Sequence, residues 1–372
     1  MATSVITDSA VPYRDSERGI IVTQIATQKD VVQLTPHDTR YLFVLPFSTD
    51  HALARRFLAR DGQMVGNIRF GKLLETLDKV AENTALAYVN RFYPDARVVT
   101  AAIDSVVVRN PADTAHDLVF SAQINHVGKS SMEVGIRIEC LGACSSHLAS
   151  CYFTMVARST DSGEAKSLTL PPLHYKQEIE AKRHDKAEQR RQAYRDGLAK
   201  AEQMPSLDEY LFLKKLHKEQ ESPEFAGIRA SELVLESTIR AYPEQENVPK
   251  TVFGGYLIRK AYELAAIAAE MVAPDRVVPC EVNRINFNEP VLLGDQLKFT
   301  ARVVYTGKTT ITVQSDIERF SRNDGDKALS NSCLFTFSNV GNDMEPKPVP
   351  FIYPVTYAED ARFLNAHRQR VD

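Results

Sequence analysis

The chain contains one unit twice. HDLVFSAQINHVGKSSMEVGIRIE (116–139) aligns without a gap to DQLKFTARVVYTGKTTITVQSDIE (295–318), each residue standing 179 positions before its match. Leu, Phe, Ala, Gly, Lys, Val, Ile and Glu recur in place. Each copy reads strand, Gly-Lys turn, strand, which predicts a β-hairpin with glycine supplying the turn geometry. The repeat reaches upstream: RFGKLLETLDKVA (69–81) lies against FGGYLIRKAYELA (253–265), with Gly71 on Gly255 and Ala81 on Ala265. A period of this length marks a duplicated domain and not a solenoid of short repeats. It also disposes of a false lead. The GlyLysThr at 307–309 resembles the end of a phosphate-binding P-loop, but Arg302 stands where that loop needs glycine, and an alternating strand pattern follows where it needs a helix.

With 372 residues the chain has room for two or three domains. A formal net charge of −3 gives no nucleic-acid footprint. No apolar run approaches the roughly 20 residues of a membrane-spanning helix. Cysteines 140, 144, 151, 280 and 333 form no CxxC pair, which points to reduced thiols and not to a zinc or redox site. No metal is therefore expected. Asp8, Asp15 and Glu17 among the first residues suit a mitochondrial presequence poorly, and no secretory apolar segment is evident there.

Periodicity orders the rest. After an opening segment with a short strand at 41–47, an amphipathic helix starts near Arg69, with Phe70, Leu73, Leu74, Leu77 and Ala81 on one stripe. Strand-like runs follow at 97–108, 117–127, 131–141 and 147–158. Residues 174–220 carry dense mixed charge, expected to be a solvated helical linker. The pattern then restarts: strand 230–240, helix 253–272, and strands 277–286, 295–305, 309–319 and 328–338. The tail from Glu345 reads as irregular. One helix against a run of antiparallel strands, twice over, is a duplicated α+β domain. The expected divisions are an N-terminal domain over 1–170, a linker over 171–222, a C-terminal domain over 223–350 and a tail over 351–372.

The chemistry concentrates at the helix starts. Glycines there let a carbonyl approach free N–H groups and the positive end of the helix dipole, the makings of an oxyanion hole. Easier helix–sheet packing is the other account of glycine, and its recurrence at the same place in both copies favours the functional one. Asp78 falls on or beside the apolar stripe of the first helix, where a carboxylate should be paired or functional unless it turns out to the flank. It lies two turns beyond Gly71 and so cannot serve its own helix's start. If the two helices pack antiparallel, Asp78 faces Asn247 and Gly255 of the second copy.

ENVPKTVFGGYLIRKAYELA (246–265), with Asn ahead of PheGlyGly and an apolar helix, resembles the acyl-CoA thioesterases of the double-hotdog kind. RFGKLLETLD (69–78) is most similar to the mitochondrial acyl-CoA thioesterase 9-like branch. The resemblance implies two hotdogs, each a long central helix wrapped by an antiparallel sheet. It implies acyl-CoA as substrate, CoA as part of substrate and product with no separate cofactor, a homo-oligomer built as a trimer of double hotdogs, and a mitochondrial location, though the N-terminus reads as cytosolic. It pairs Asp78, as base or nucleophile, with Asn247, which orients water or thioester, and with the Gly255 amide for the oxyanion. The mirror-image site has Gln63 for the asparagine and Tyr262 for the aspartate, with Glu263 alongside, so one working site and one degenerate site are expected. The turn residues Lys129, Ser130, Lys308 and Thr309 are candidate CoA phosphate contacts; Arg69 and Lys72 are weaker ones. Two other readings stay open: an enoyl-thioester hydratase on the same fold, against which stands the lack of histidine near either helix start, and a non-catalytic acyl-CoA-binding protein. Chain-length preference has no visible signature.

Overall fold

A computed structural model describes residues 13–15, 19–21, 34–62, 65–141, 146–159, 166–201, 204–246, 250–283, 285–322 and 325–369. The chain divides into two compact units, Met1–Arg190 with Phe253–Arg259, and Arg191–Val252 with Lys260–Asp372.

In the first unit, β1 (Tyr13–Asp15), β2 (Gly19–Ile21) and β3 (Tyr41–Leu45) precede α1 (His51–Arg56) and the long helix α2 (Phe70–Val89). Strands β4 (Arg97–Val108), β5 (Asp117–Val127), β6 (Ser131–Leu141) and β7 (Ser146–Arg158) complete an antiparallel sheet ordered β1-β2-β3-β5-β6-β7-β4. Helix α2 buries Leu73, Leu74, Leu77, Ala81 and Ala85 against that sheet. The helix α3 (Glu178–Ala201) begins in this unit.

The second unit holds α4 (Leu207–Gln220), β8 (Ile228–Arg229), β9 (Val234–Arg240) and, from Lys260 on, the helix α5 (Gly254–Glu270). Then come β10 (Arg276–Val282), β11 (Ile285–Asn286), β12 (Gln296–Thr306), β13 (Thr310–Phe320), β14 (Lys327–Val340), β15 (Ile352–Tyr353) and α6 (Tyr357–Gln369). Its sheet runs β9-β12-β13-β14-β10, the same order as β3-β5-β6-β7-β4. A long helix against a sheet of this order, built twice, is a tandem hotdog.

The duplication holds to the single residue. Both hairpins, β5–β6 and β12–β13, have the same boundaries 179 positions apart. The register shifts in both at the same place, between Ile124 and His126 and between Val303 and Tyr305. The apolar residues that recur in the hairpins face inward: Leu118 and Leu297, Val134 and Val313, Ile138 and Ile317 are all fully buried. Identity survived where a change of volume would leave a cavity or a clash.

Three expectations need correction. The turn glycines do not adopt left-handed backbone; among the described residues that conformation falls to Gly62, Gly66, Lys250, Gly294, Gly325 and Met344. Gly128 and Gly307 instead leave room for the hydroxyls of Ser131 and Thr310, which a Cβ would approach to 3.2 and 2.5 Å. Second, the charged linker is not wholly solvated. Helix α3 opens with Glu180 buried, its Oε2 accepting from the Lys176 and Gln177 N–H groups at 3.0 and 3.1 Å, and Ala187 is fully buried. Third, the tail folds into α6, where Glu359 Oε2 accepts from the Val355 and Thr356 N–H groups at 2.7 and 3.0 Å. Glu180 and Glu359 are again 179 positions apart, as are the buried Ala187 and Ala366. The repeat therefore includes a closing helix in each copy, and segments expected as linker and tail belong to the domains.

Candidate active site

Asp78 sits mid-way along α2 with no exposed surface. It falls on the inner stripe because it follows Leu74 by one helical turn and precedes Ala81 by another. Its Oδ1 accepts a hydrogen bond from the Thr100 hydroxyl at 2.6 Å. Thr100 lies in β4 where the pairing with β7 shifts register, between Thr100 and Ala102. Such bulges re-aim a side chain, here toward the helix. The second oxygen, Oδ2, is buried without a hydrogen-bond partner among the described residues. Burial pushes the carboxyl up to about 7. The Thr100 hydroxyl, the Gly255 N–H and Lys79 act in the opposite direction, while Glu82 adds to the rise.

Gly255 lies against this carboxylate. A Cβ at position 255 would stand 3.1 Å from the Asp78 Cβ and 2.7 Å from the Phe253 ring, so no side chain fits there. As the second residue of α5, Gly255 has an N–H that no carbonyl of its own helix can take. The Tyr256 and Leu257 N–H groups already return to the Phe253 carbonyl. A buried carboxylate therefore adjoins a helix start whose dipole favours developing negative charge. Asp78 and Gly255 both belong to the first compact unit, because residues 253–259 cluster with it. Asn247 and Gln63 fall outside the described residues.

The other expected residues are placed as follows. Arg69 caps the start of α2 and, with Lys72 one turn on, lines a pocket of about 370 Å³. Its apolar wall is Phe43, Leu53, Phe57, Val80 and Phe253. Phe253 thus touches both the pocket and Gly255. Lys129 and Lys308 are exposed at their hairpin turns. Their carbonyls are tied down by the Leu170 and Val349 N–H groups at 2.8 and 3.1 Å. Those of Ser130 and Thr309 accept from Ala157 and Asn339 at 3.0 and 2.9 Å. The turns are thus hydrogen-bonded alike in both copies, with the lysine side chains exposed.

Tyr262, the counterpart of Asp78, packs its ring 5.4 Å from Phe335 and 5.4 Å from Phe337 within the second unit. Burial raises its hydroxyl well above the ordinary tyrosine value. Glu263 beside it is half-buried. Two relevant groups escaped sequence reasoning. Thr100 has no signal beyond a hydroxyl in an apolar strand. Phe253 was visible only as part of PheGlyGly, not as the wall between pocket and helix start. No group of His, Cys, Asp and Glu able to hold a metal occurs among the described residues.

A fold and site of this kind define a tandem-hotdog thioesterase, and comparison with known proteins places the chain more closely. The thioesterase superfamily profile matches residues 249–325. An acyl-CoA thioester hydrolase of Zymomonas mobilis is 33% identical over 110 residues, 30% of this chain and 74% of its own length. The human mitochondrial acyl-coenzyme A thioesterase 9 is 26% identical over 371 residues, covering 95% of this chain and 82% of that protein. An acyl-CoA hydrolase from Staphylococcus aureus, solved with butyryl coenzyme A and coenzyme A, is 28% identical over 38% of this chain and 85% of its own, with a TM-score of 0.36. The chain belongs to the acyl-CoA thioesterase family, in the branch that resembles mitochondrial acyl-coenzyme A thioesterase 9.

Proposed function

We propose that this chain hydrolyses acyl-CoA thioesters to a free acid and CoA, with Asp78 as general base, Asn247 orienting water or thioester, and the Gly255 N–H receiving the oxyanion. The observation that carries the reading is a fully buried Asp78 against Gly255, with Oδ2 lacking a side-chain hydrogen-bond partner among the described residues. A water on Oδ2 gives up its proton as its oxygen bonds to the thioester carbonyl carbon. The carbonyl oxygen takes the negative charge at the Gly255 N–H. When the tetrahedral adduct collapses, the C–S bond breaks and the CoA sulfur recovers the proton from Asp78. A carboxyl with a value near 7 can both take and return that proton near neutrality. The Ser-His-Asp arrangement of other hydrolases is not required.

Attack by Oδ2 itself would instead form an acyl-aspartyl anhydride. A single turnover in ¹⁸O-water tests for the anhydride: label in Asp78 establishes the nucleophile, and trapping of the acyl-enzyme by hydroxylamine detects it when water opens the anhydride at the acyl carbon. Lys129, Ser130, Lys308, Thr309 and Arg69 are assigned to the phosphates of CoA. The second site, with Tyr262 in the aspartate position and Glu263 and Gln63 near it, is assigned no turnover. The working compartment is the mitochondrion, on the strength of the mitochondrial relatives.

The test is CoA thiol release from short, medium and long acyl-CoAs. Asp78→Asn should remove most of kcat, about a hundredfold or more, while CoA still binds. Near-normal turnover in the variant would remove Asp78 from its role. CoA binding without turnover in the wild type would replace the hydrolase with a binding protein.

A further inference from the structure

Along residues 253–259 the contacts with α2 fall in reverse order. The Phe253 ring centre lies 5.7 Å from Lys79 Nζ. Gly255 meets Asp78, where a Cβ would come within 3.1 Å of the aspartate Cβ. Arg259 Nη1 donates to Glu75 Oε2 at 3.0 Å. The two segments therefore run antiparallel. Arg259 stands one turn beyond Gly255, and Glu75 one turn before Asp78, so the ion pair flanks the reacting pair on both helices. Packing against a glycine sets how near two segments come, but not how far one slides along the other. A guanidinium–carboxylate bond has a fixed direction and sets that register. Arg259 is 16% exposed and Glu75 21%. A pair so enclosed adds little stability over apolar residues of similar volume, which leaves geometry as its contribution. Arg259 depends on Glu75: its Nε is buried without a partner among the described residues, and its guanidinium otherwise lies 5.2 Å from the Tyr256 ring centre. Glu75 keeps a second cation, Lys72 Nζ, at 2.9 Å.

We propose that Glu75 and Arg259 are positioning residues of the thioesterase site, an ion pair that fixes the register of the α5 start on α2 and so holds the Gly255 N–H at the Asp78 carboxylate. The proposal rests on the thioesterase reading above. Both residues act through Gly255, without touching the reacting atoms. A slip of one residue moves the N–H by about 1.5 Å along the helix. A misplacement of about 1 Å is enough to cost a hundredfold in rate. The place of that N–H has its own reporter. Burial raises the Asp78 carboxyl to about 7 and Glu82 adds to the rise, while the Thr100 hydroxyl of β4, the Gly255 N–H and Lys79 act against it. Withdrawing the N–H therefore raises the carboxyl further. The charges of the pair, acting only through their field, predict otherwise: losing the Arg259 cation raises the carboxyl, and losing the Glu75 anion lowers it. A register clamp predicts a rise in both cases.

The test is thiol release from one acyl-CoA by the full chain, from mildly acid to alkaline pH, for the wild type, Arg259→Met, Glu75→Met and Arg259→Lys. Both methionine variants should lower kcat about tenfold or more with KM held within a few-fold. Both should move the rising limb of kcat/KM above about 7. Arg259→Lys keeps a cation on the carboxylate and should recover most of each loss. Glu75→Gln, which keeps the volume and weakens the bond to a neutral one, replaces Glu75→Met should that variant not fold. Carbon-13 NMR of carboxyl-labelled aspartate reads the same titration without turnover, with Asp78→Asn identifying the signal. An unmoved carboxyl and an unchanged kcat, with only the unfolding midpoint lowered, would reduce the pair to a structural one and overturn the proposal. Limbs that move in opposite directions would overturn it too, as the mark of field alone. So would a KM that rises while kcat holds, the mark of a substrate contact. A wild type that releases no thiol refutes the thioesterase reading instead, and the NMR titration still decides the clamp.

Discussion

At the scale of the residue, Asp78 concentrates the chemistry, and its protonation has two measurable consequences. A base must be ionised to act, so kcat/KM should rise with pH through about 7 and level off above it. A rising limb near pH 4 would show that Asp78 ionises as an ordinary carboxyl. Stability runs the other way. The folded value lies above the unfolded value of 3.8, so the folded state holds the extra proton. The stability tied to that proton is fully present below the unfolded value and is lost as pH rises from there through about 7. Asp78→Asn should therefore raise the melting temperature at pH 8, by up to about 4 kcal/mol of stability, and change it little at pH 4. An equal shift at both pH values would refute the buried, ionising carboxyl. Tyr262 offers the contrast. Its ring is fixed by Phe335 and Phe337, and a hydroxyl raised by burial is no base near neutrality. Tyr262→Phe should leave kcat within a few-fold, measured by the same thiol release; a collapse would mean that the second site works.

At the scale of the element, the strongly periodic segments were legible and the polar ones were not. Strand limits at 97–108, 117–127 and 131–141 coincide with those read from alternation. Helix α2 was legible because Leu73, Leu74, Leu77 and Ala81 repeat on one stripe. Helix α6 was missed, and α3 was expected as a helix but one wholly in solvent, because charges surround a few buried positions in both, so that little apolar rhythm remains. Their shared signal was a glutamate in the first turn that reaches back to the N–H groups before the helix, in both copies. That contact predicts a cost. Glu180→Ala should destabilise the chain by about 1 kcal/mol in denaturant unfolding, as loss of a cap does. An unchanged midpoint would show that α3 is held by its packing alone.

At the scale of the whole molecule, the duplication orders both the fold and the division of labour. Asp78 of one copy lies against Gly255 of the other, and the proposed site rests on that pair; Gly71 and Tyr262 stand at the reverse positions. The family resemblance that implies this pairing also implies a trimer of such chains. Light scattering on the purified protein should then give three times the 41.7 kDa of one chain. A monomer that retains thioesterase turnover would show that one chain is sufficient. The sequence by itself determined the repeat, the strand and helix types, the inward stripe that carries Asp78, and the family. These are local or self-referential: periodicity needs only near neighbours, and a repeat needs only its own second copy. Tertiary structure decided what no local pattern encodes: that the Thr100 hydroxyl takes one oxygen of Asp78, that Gly255 clears space for that carboxylate, and that Glu75 sits between Lys72 and Arg259. Each joins residues far apart in the chain. Burial then changed their chemistry, because a carboxyl or a guanidinium removed from water answers to the few groups that surround it.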